Sequence, residues 1–375
     1  MKTKKPTLFK KVFAVFLSLS LVFSCSSSIN AATKTTKKVP KTAAAVVADM
    51  GIGWNLGNSL DAMNKTKGYT YDTETLWSNP VTTKKMIDKV AKSGFKAIRV
   101  PVSWYNHIDK KGNIDKKWLK RVAQVVNYGL DNNLYVIINI HHDAGMDAQY
   151  HWIFADTDSK KKDQKNFLNL WKQIATYFKD YDEKLLFEAT NEIVNSNLNW
   201  DWNTAWKDFR VVHDLDQAFI NTVRKTGGKN KNRYLILSTW GASTDSCQVE
   251  NLFYKSFTDT ATDKLILDVH NYMTDTKQIP TLMKTLKGYS TKYKIPIIIS
   301  EFGTTTSTPL KQRIASSKTY VTEAKKVGIT CFVWDDGGNY QLLNRQLNKK
   351  TKDYSWKYPT LVTAMVKASK TKTSK

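Results

Sequence analysis

Residues 135–143 read YVIINIHHD, a short run of β-branched and apolar residues that ends in two histidines and an aspartate. Apolar runs of this length, bounded by polar segments, predict buried β-strands. Seven other segments follow the same plan, and the longer stretches between them carry apolar residues three and four positions apart, as on one face of a helix. The eight predicted strands are 51–58, 97–104, 135–143, 185–192, 233–241, 265–272, 296–303 and 330–336.

Helices are predicted between these strands, and the helix after the fifth strand has the weakest pattern. The predicted helices are 82–92, 116–130, 164–178, 204–225, 279–286, 311–326 and 359–368. Strands that alternate with helices in a domain of this size predict an α/β fold, a closed (β/α)8 TIM barrel in a single domain. The alternative is an open doubly wound sheet, but no glycine-rich phosphate loop follows the first strand.

The amino terminus has the pattern of an export signal. A lysine-rich start leads into an apolar stretch at 12–23 that is too short to remain as a membrane span. We expect residues 1–31 to be a signal peptide with cleavage after Ala31, which predicts a secreted protein. The alternative is cleavage before Cys25 and a lipid anchor at the cell surface.

Residues 32–43 predict a Lys/Thr-rich linker, 44–368 the barrel domain and 369–375 a basic tail. Only Cys247 and Cys331 lie beyond the signal segment, so stability must come from packing rather than from a disulfide framework. Whether these two cysteines pair is left open by the sequence.

The formal net charge is +25, which raises the question of an anionic partner. Nine lysines in residues 1–41 and four in residues 367–375 supply thirteen of these charges, with no acidic residue in either segment. The remaining excess is spread over helix faces as lysine rather than grouped as an arginine-rich stripe. We therefore expect no nucleic-acid partner. We also expect no membrane span and a monomeric protein.

Polar residues end nearly every predicted strand, and in this kind of barrel the carboxyl ends of the strands build the active site. Glu192 and Glu301 form the natural pair of carboxylic acids for hydrolysis of a glycoside. If they face each other at about 5 to 5.5 Å, one attacks the anomeric carbon and the other protonates the leaving oxygen, with retention of configuration. Arg99 and Tyr272 would keep Glu301 ionised, and the Asn191 amide would bond a sugar hydroxyl.

His141, His142 and Asp143 suggest a metal site, but neighbouring strand residues point to opposite faces and the usual zinc spacings are missing. We therefore expect no metal, with His141 bonded to the substrate or to a catalytic carboxylate. Glu188, four residues before Glu192, is interpreted as structural.

Among the tryptophans, Trp334 is expected to be a platform for a sugar ring, followed by Trp200 and Trp202. Tryptophans on predicted helices, such as Trp206, are expected to pack in the core.

These motifs resemble glycoside hydrolase family 5, and within it the bacterial endoglucanase and xyloglucanase branch. The resemblance covers the whole predicted domain. Its motifs are GWNLGN at 53–58, RVPVSW at 99–104, INIHHD at 138–143, FEATNE at 187–192, HNY at 270–272, SEFG at 300–303 and WDDG at 334–337.

The resemblance implies retaining hydrolysis of a plant cell-wall β-1,4-glucan, such as cellulose, mixed-linkage glucan or xyloglucan, without a cofactor. It implies Glu192 as the acid/base and Glu301 as the nucleophile. The candidate substrate-binding residues are Asn55, Arg99, His141, His142, Asn191, His270, Tyr272 and Trp334.

Three positions depart from the family pattern and leave the preferred glycan open. Ile193 replaces a usual proline, Asp336 a usual asparagine and Asn344 a usual aspartate. The alternatives are an endo-β-1,4-mannanase and a non-catalytic carbohydrate-binding barrel on the cell surface.

Overall fold

The fold was analysed in a computed structural model, which describes residues 41–64, 73–145, 151–158, 160–198 and 202–371. The predicted signal peptide, nearly all of the predicted linker and the last four residues of the basic tail lie outside the described residues.

Eight parallel strands form a closed barrel in chain order, with β1 paired to both β2 and β8. The predicted (β/α)8 TIM barrel is therefore confirmed. The strands are β1 (Ile52–Asn55), β2 (Ala97–Val100), β3 (Tyr135–Asn139), β4 (Leu185–Glu188), β5 (Leu235–Ser238), β6 (Leu265–His270), β7 (Ile297–Phe302) and β8 (Thr330–Val333).

A helix follows each strand and packs on the outside of the barrel, and each predicted helix range overlaps an observed helix. The helix after β5 has only seven residues, in line with its weak pattern. The helices are α1 (Ala43–Met50), α2 (Lys84–Lys92), α3 (Lys116–Asp131), α4 (Lys160–Phe178), α5 (Trp202–Lys225), α6 (Ser246–Leu252), α7 (Ile279–Tyr293), α8 (Leu310–Lys326) and α9 (Pro359–Lys370).

The predicted strands extend too far at their carboxyl ends. The strand predicted at 185–192 ends at Glu188, so Glu192 lies in the loop that follows. The backbone there still bonds to its neighbours, since Asn191 N donates to Ile140 O at 3.0 Å, but the regular ladder has ended. The polar residues at these strand ends face the cleft. The apolar pattern therefore does not show where the hydrogen-bonded strand ends.

Helix α1 was not predicted, and it closes the amino-terminal end of the barrel. Its Val46, Val47 and Met50 are completely buried and belong to one apolar cluster with inward-facing residues of the strands, among them Phe332. The Thr42 side chain caps the helix by accepting from the backbone N–H of Ala45. The predicted linker therefore overlaps the first residue of this helix, Ala43.

Inside the barrel, apolar side chains fill the lower layers and polar side chains the top. The Phe332 ring occupies the axis so closely that a β-carbon on Gly53 would lie 2.0 Å from it. Above this layer the inward side chains of β1, β2, β3, β4 and β6 are all polar and fully buried. They are Asn55, Arg99, Asn139, Glu188 and Asp268.

A small antiparallel pair, β9 (Leu343–Asn344) and β10 (Ser355–Trp356), lies between β8 and α9. It positions Arg345, whose guanidinium is buried against Asp335 and donates to the carbonyl of Gly57 at 2.7 Å. Together these contacts fasten the loop after β8 to the loop after β1.

Candidate active site

Glu301 lies on β7 with both carboxylate oxygens bonded. Arg99 Nη1 donates to Oε1 at 2.6 Å and the Tyr272 hydroxyl donates to Oε2 at 2.7 Å. The side chain is 6% exposed, so one edge of the carboxylate still reaches the cleft. Both oxygens of this nearly buried carboxylate therefore accept hydrogen bonds, from the two residues that the sequence predicted.

Arg99 is the centre of this network. Its Nε and Nη2 bind the two oxygens of Glu188 at 2.7 and 2.6 Å, and Nη2 also donates to Asn191 Oδ1 at 2.8 Å. Burial lowers the proton affinity of Arg99, but the Glu188 and Glu301 charges outweigh it and raise its pKa well above the usual value. Burial raises the pKa of Glu188, against the opposing effect of Arg99. Glu188 is thus structural, as predicted.

Glu192 lies across the barrel mouth, and its side chain is 20% exposed, more than that of Glu301. Its Oε1 is 2.7 Å from His270 Nδ1, and this nitrogen is 3.6 Å from Glu301 Oε2. Burial of His270 opposes its protonation, but Glu301, Asp268 and Glu192 together raise its pKa well above the ordinary value. His270 therefore stands as a cation between the two carboxylates.

The two carboxylates are close to each other. The oxygens that Glu192 and Glu301 present to His270 lie within 4.8 Å. Enzymes that retain the configuration hold their carboxyl groups about 5 to 5.5 Å apart, whereas inverting enzymes need about 6.5 to 9.5 Å to admit a water molecule. The close approach of these oxygens is compatible with the first arrangement.

Trp334 forms one wall of the cleft. Its ring is nearly parallel to that of His141, with an angle of 8° between the ring planes and 5.9 Å between the ring centroids. A β-carbon on Gly57 would approach the Trp334 ring to 2.6 Å, so only glycine leaves room for the ring in this orientation. A flat indole in this place is suited to the apolar face of a sugar.

His141 and His142 lie on the same side, which corrects the expectation that they point to opposite faces. Strand β3 ends at Asn139 and a 3₁₀ turn begins at His142, so the alternation of a strand no longer applies. The two rings meet edge to face with 4.6 Å between centroids, and His142 Nε2 is 3.6 Å from Asp61 Oδ2. The His141 ring bonds Asn139 through Nδ1, not a catalytic carboxylate.

Asn55 lies beneath the cleft and is completely buried. Its Nδ2 donates to the carbonyl of Ser300 at 2.8 Å, and its Oδ1 accepts from Arg99 at 3.1 Å. Its contacts are thus internal to the barrel.

Of the aromatic candidates, Trp200 and the side chain of Trp202 lie outside the described residues. The expectation that Trp206 packs in the core is wrong. Its side chain is 38% exposed, and Arg210 contacts its ring.

The three departures from the family pattern have structural roles. Ile193 is buried, and its carbonyl accepts from Gly241 N at 2.8 Å, which ties the loop after β4 to the loop after β5. Asp336 Oδ1 accepts from the backbone N–H groups of Gly338 and Tyr340 at 2.7 and 2.9 Å. Asn344 bonds Ser355 between β9 and β10.

Sequence reasoning did not identify Asn139 or Asp335 as supports of the site. Asp335 accepts from Trp54 Nε1 at 3.0 Å and pairs with Arg345 directly behind Trp334. Asn139 interrupts an apolar run at an inward position, a signal that was available in the sequence. The structure also leaves Cys247 and Cys331 as free thiols, which answers the open question on their pairing.

Two clusters among the described residues bring three metal-ligating side chains together, with the donor atoms of each within 4.8 Å of one another. In the first cluster both Asp61 oxygens already accept backbone N–H groups, from Ser59 at 2.7 Å and Asn58 at 2.9 Å. In the second, Glu301 already accepts from Arg99 and Tyr272, and His270 Nδ1 lies 2.7 Å from Glu192 Oε1. The clusters are Asp61 with His141 and His142, and Glu192 with His270 and Glu301.

None of the helices that the structure describes is long and apolar enough to cross a membrane.

Comparison with known proteins agrees with this geometry. Endoglucanase A of Clostridium longisporum is 32% identical over 390 residues, which cover 96% of this chain and 72% of the relative. A lichenase of Caldicellulosiruptor sp. F32, solved as a mutant with cellotetraose, superposes with a TM-score of 0.79 at 33% identity, over 89% of this chain and 97% of its own. A Prevotella bryantii family 5 enzyme, solved as a mutant with a xyloglucan tetradecasaccharide, superposes with a TM-score of 0.79 at 32% identity, over 89% of this chain and 100% of its own.

The family model described as cellulase, glycosyl hydrolase family 5, matches residues 60–339, which span the described barrel from the loop after β1 to the loop after β8. The chain therefore belongs to glycosyl hydrolase family 5, the cellulase family.

Proposed function

We propose that this chain is a retaining endo-β-1,4-glucanase that cleaves plant cell-wall β-glucan: cellulose, mixed-linkage glucan or xyloglucan. The observation that carries the proposal is the carboxylate pair, Glu192 and Glu301, with oxygens within 4.8 Å beside a tryptophan wall. The relatives add the substrate class, since their names describe an endoglucanase, a lichenase and a xyloglucan complex.

Glu301 is the proposed nucleophile. Both of its oxygens accept hydrogen bonds, from Arg99 and Tyr272, and its side chain is less exposed than that of Glu192. In the first step a Glu301 oxygen bonds to the anomeric carbon while the glycosidic bond breaks, and the leaving oxygen takes the proton of Glu192. The product is a covalent glycosyl ester on Glu301.

Glu192 is the proposed acid/base. In the second step it accepts a proton from water while the water oxygen attacks the anomeric carbon, which breaks the ester and restores the starting protonation. Its greater exposure gives it access to both the leaving group and the incoming water. His270, bonded to Glu192 at 2.7 Å, orients this carboxyl group.

Arg99, His141, His142, Asn191, His270, Tyr272 and Trp334 are the proposed groups around the reacting sugar. The Arg99–Asn191 bond engages the amide oxygen of Asn191, so the Asn191 NH₂ group is oriented by it as a donor to a sugar hydroxyl. Asn55 supports Arg99 from below rather than contacting substrate.

The proposed enzyme acts outside the cell as a monomer, with a single catalytic domain at 44–368 and no cofactor. The support for export is the lysine-rich start followed by the apolar stretch at 12–23. Amino-terminal sequencing of the secreted product would find Ala32 first, whereas a lipid-modified Cys25 would replace secretion with anchoring.

Activity on four polymers tests the proposal. The purified protein, Glu192→Ala, Glu301→Gln and the exposed-site control Glu250→Gln are incubated with barley mixed-linkage glucan, xyloglucan, carboxymethylcellulose and galactomannan, and new reducing ends are measured. We expect release from the glucans by the wild type and by the control only. Preferred cleavage of galactomannan would replace the glucanase with a mannanase, and release from none would favour a carbohydrate-binding barrel.

A further inference from the structure

Asn139, the last residue of β3, joins three groups beneath the cleft and is completely buried. Its Oδ1 is 3.2 Å from the backbone nitrogen of Val102. Its Nδ2 is 3.0 Å from Glu188 Oε1 and 3.1 Å from His141 Nδ1. One amide thus connects the Arg99–Glu188 ion pair to the histidine.

The orientation of this amide is fixed by chemistry. A backbone N–H can only donate, so the atom that faces Val102 N must be the amide oxygen. The NH₂ group therefore faces both Glu188 and His141. A flipped amide would set its NH₂ group against the N–H of Val102 and its oxygen against the Glu188 carboxylate, so both contacts would be repulsive.

The orientation of the amide in turn fixes the proton on His141. Nδ1 receives an N–H from Asn139, so it must carry a free lone pair. Burial, together with the neighbouring His142, Arg99 and His270, lowers the pKa of His141 well below its ordinary value, so the ring is neutral. A neutral imidazole carries one proton, and it must then lie on Nε2.

The Nε2–H group has no hydrogen-bond partner among the residues that the structure describes. The ring that carries it lies parallel to the Trp334 indole, which forms the wall of the cleft. An N–H group beside this wall is suited to donate to a hydroxyl oxygen of a sugar ring stacked there.

We propose that Asn139 is a positioning residue that holds His141 in the Nε2–H form, so that His141 donates a hydrogen bond to a hydroxyl oxygen of the sugar on Trp334. The sugar in this statement rests on the proposed function, whereas the position of the proton does not. Asn139 acts only through His141 and the Glu188 pair, and it makes no contact with substrate.

Asn139→Asp tests this with almost no change in shape. Aspartate places an oxygen opposite both His141 Nδ1 and Glu188 Oε1, where Asn139 Nδ2 donates in the wild type. A proton on Nδ1 relieves the contact with the ring, so the His141 proton should move to Nδ1 or the ring should become a cation. The matched control is Asn230→Asp, another completely buried asparagine, located between α5 and β5. Asn230 accepts from Arg233 Nε at 2.6 Å, a contact that aspartate preserves.

The readout is long-range ¹H–¹⁵N NMR of protein labelled at its six histidines, with the His141 signals assigned by their loss in His141→Gln. We expect an unprotonated Nδ1 and a protonated Nε2 in the wild type and in Asn230→Asp, and a protonated Nδ1 in Asn139→Asp. A wild type with a protonated Nδ1 on His141 would overturn the inference, whether or not the variant folds.

Kinetics on the best glucan complete the test. We expect kcat/KM of Asn139→Asp to fall about 100-fold, the order seen when one preorganised donor to a reacting group is lost, and that of Asn230→Asp to stay within threefold. A similar fall with an unchanged His141 spectrum would contradict the positioning role. Absence of any glycanase activity in the wild type would refute the proposed function, and the NMR result would still decide the tautomer.

Discussion

Replacement of Arg99 by lysine keeps the positive charge beneath the carboxylate pair but removes the shape of the guanidinium. Arg99 makes five hydrogen bonds from three nitrogens, to Glu188, Glu301, Asn55 and Asn191. A lysine has one nitrogen with three protons, so at least two of these bonds are lost.

The expected magnitude follows from those bonds. A hydrogen bond to a charged group contributes about 1.5–3 kcal/mol, so the loss of two predicts a fall of about 3–6 kcal/mol in the free energy of unfolding. The hydrogen bond from Arg99 Nη1 to Glu301 is one of the two that hold the proposed nucleophile in place. We expect kcat/KM to fall by at least about 100-fold in Arg99→Lys.

Urea unfolding and kcat/KM on the preferred glucan measure the two effects. The control is Arg210→Lys, the same substitution on the outer helix α5, where Arg210 stacks on Trp206 and donates to Asn251. The control should lose less than about 1 kcal/mol, as is usual for surface contacts, and keep its activity. The central role of Arg99 would be refuted if Arg99→Lys kept its free energy of unfolding within about 1 kcal/mol, and its kcat/KM within about tenfold, of the wild-type values.

Three further outcomes follow from the geometry. Glu192→Ala should lose glucanase activity on polymers and regain turnover of an activated aryl glycoside with azide, giving a β-glycosyl azide; an α-azide would contradict the acid/base role of Glu192. Gly57→Ala should displace the Trp334 ring and raise KM about tenfold or more, with a loss of about 1–3 kcal/mol in stability from overpacking, and an unchanged KM would contradict the platform. Burial lowers the pKa of His107 to about 3, so the unfolded chain alone takes up a proton as the pH falls below about 6.5. This site alone should lower stability by about 2 kcal/mol from pH 7 to 5. Because burial also lowers the pKa of His141, that ring adds to the measured drop, so His107→Asn should reduce the drop by about 2 kcal/mol in urea titrations at the two pH values.

The barrel could be predicted because its pattern is local and repeated. Each apolar run is short and each helix face is periodic, so the eight strands and the main helices appear in the sequence without any knowledge of contacts. The pairing of Glu301 with Arg99 and Tyr272 was also accessible, since strand ends of one barrel converge on one face.

The parts that were missed depend on contacts between distant residues. Helix α1 buries Ala43, Val46, Val47 and Met50 under the barrel, but its exposed face carries alanines rather than polar residues, so its sequence shows little contrast between the two faces. His141 and His142 lie just past the last residue of β3, where strand alternation no longer holds. Trp206 lies on the exposed side of α5, where Arg210 contacts its ring, and the sequence spacing alone did not predict which side of the helix it occupies.

The identity of the nucleophile is the central claim, and a fluorinated substrate tests it most directly. A 2-deoxy-2-fluoro-β-cellobioside with a dinitrophenyl leaving group slows the second step, so that the glycosyl ester accumulates and can be located by mass spectrometry of the digested protein. The account predicts one added fluorocellobiosyl group on the peptide that contains Glu301, in the wild type and in Glu250→Gln. A label on Glu192 or on any other carboxylate, or an active enzyme that releases α-configured product and never carries a label, would contradict it.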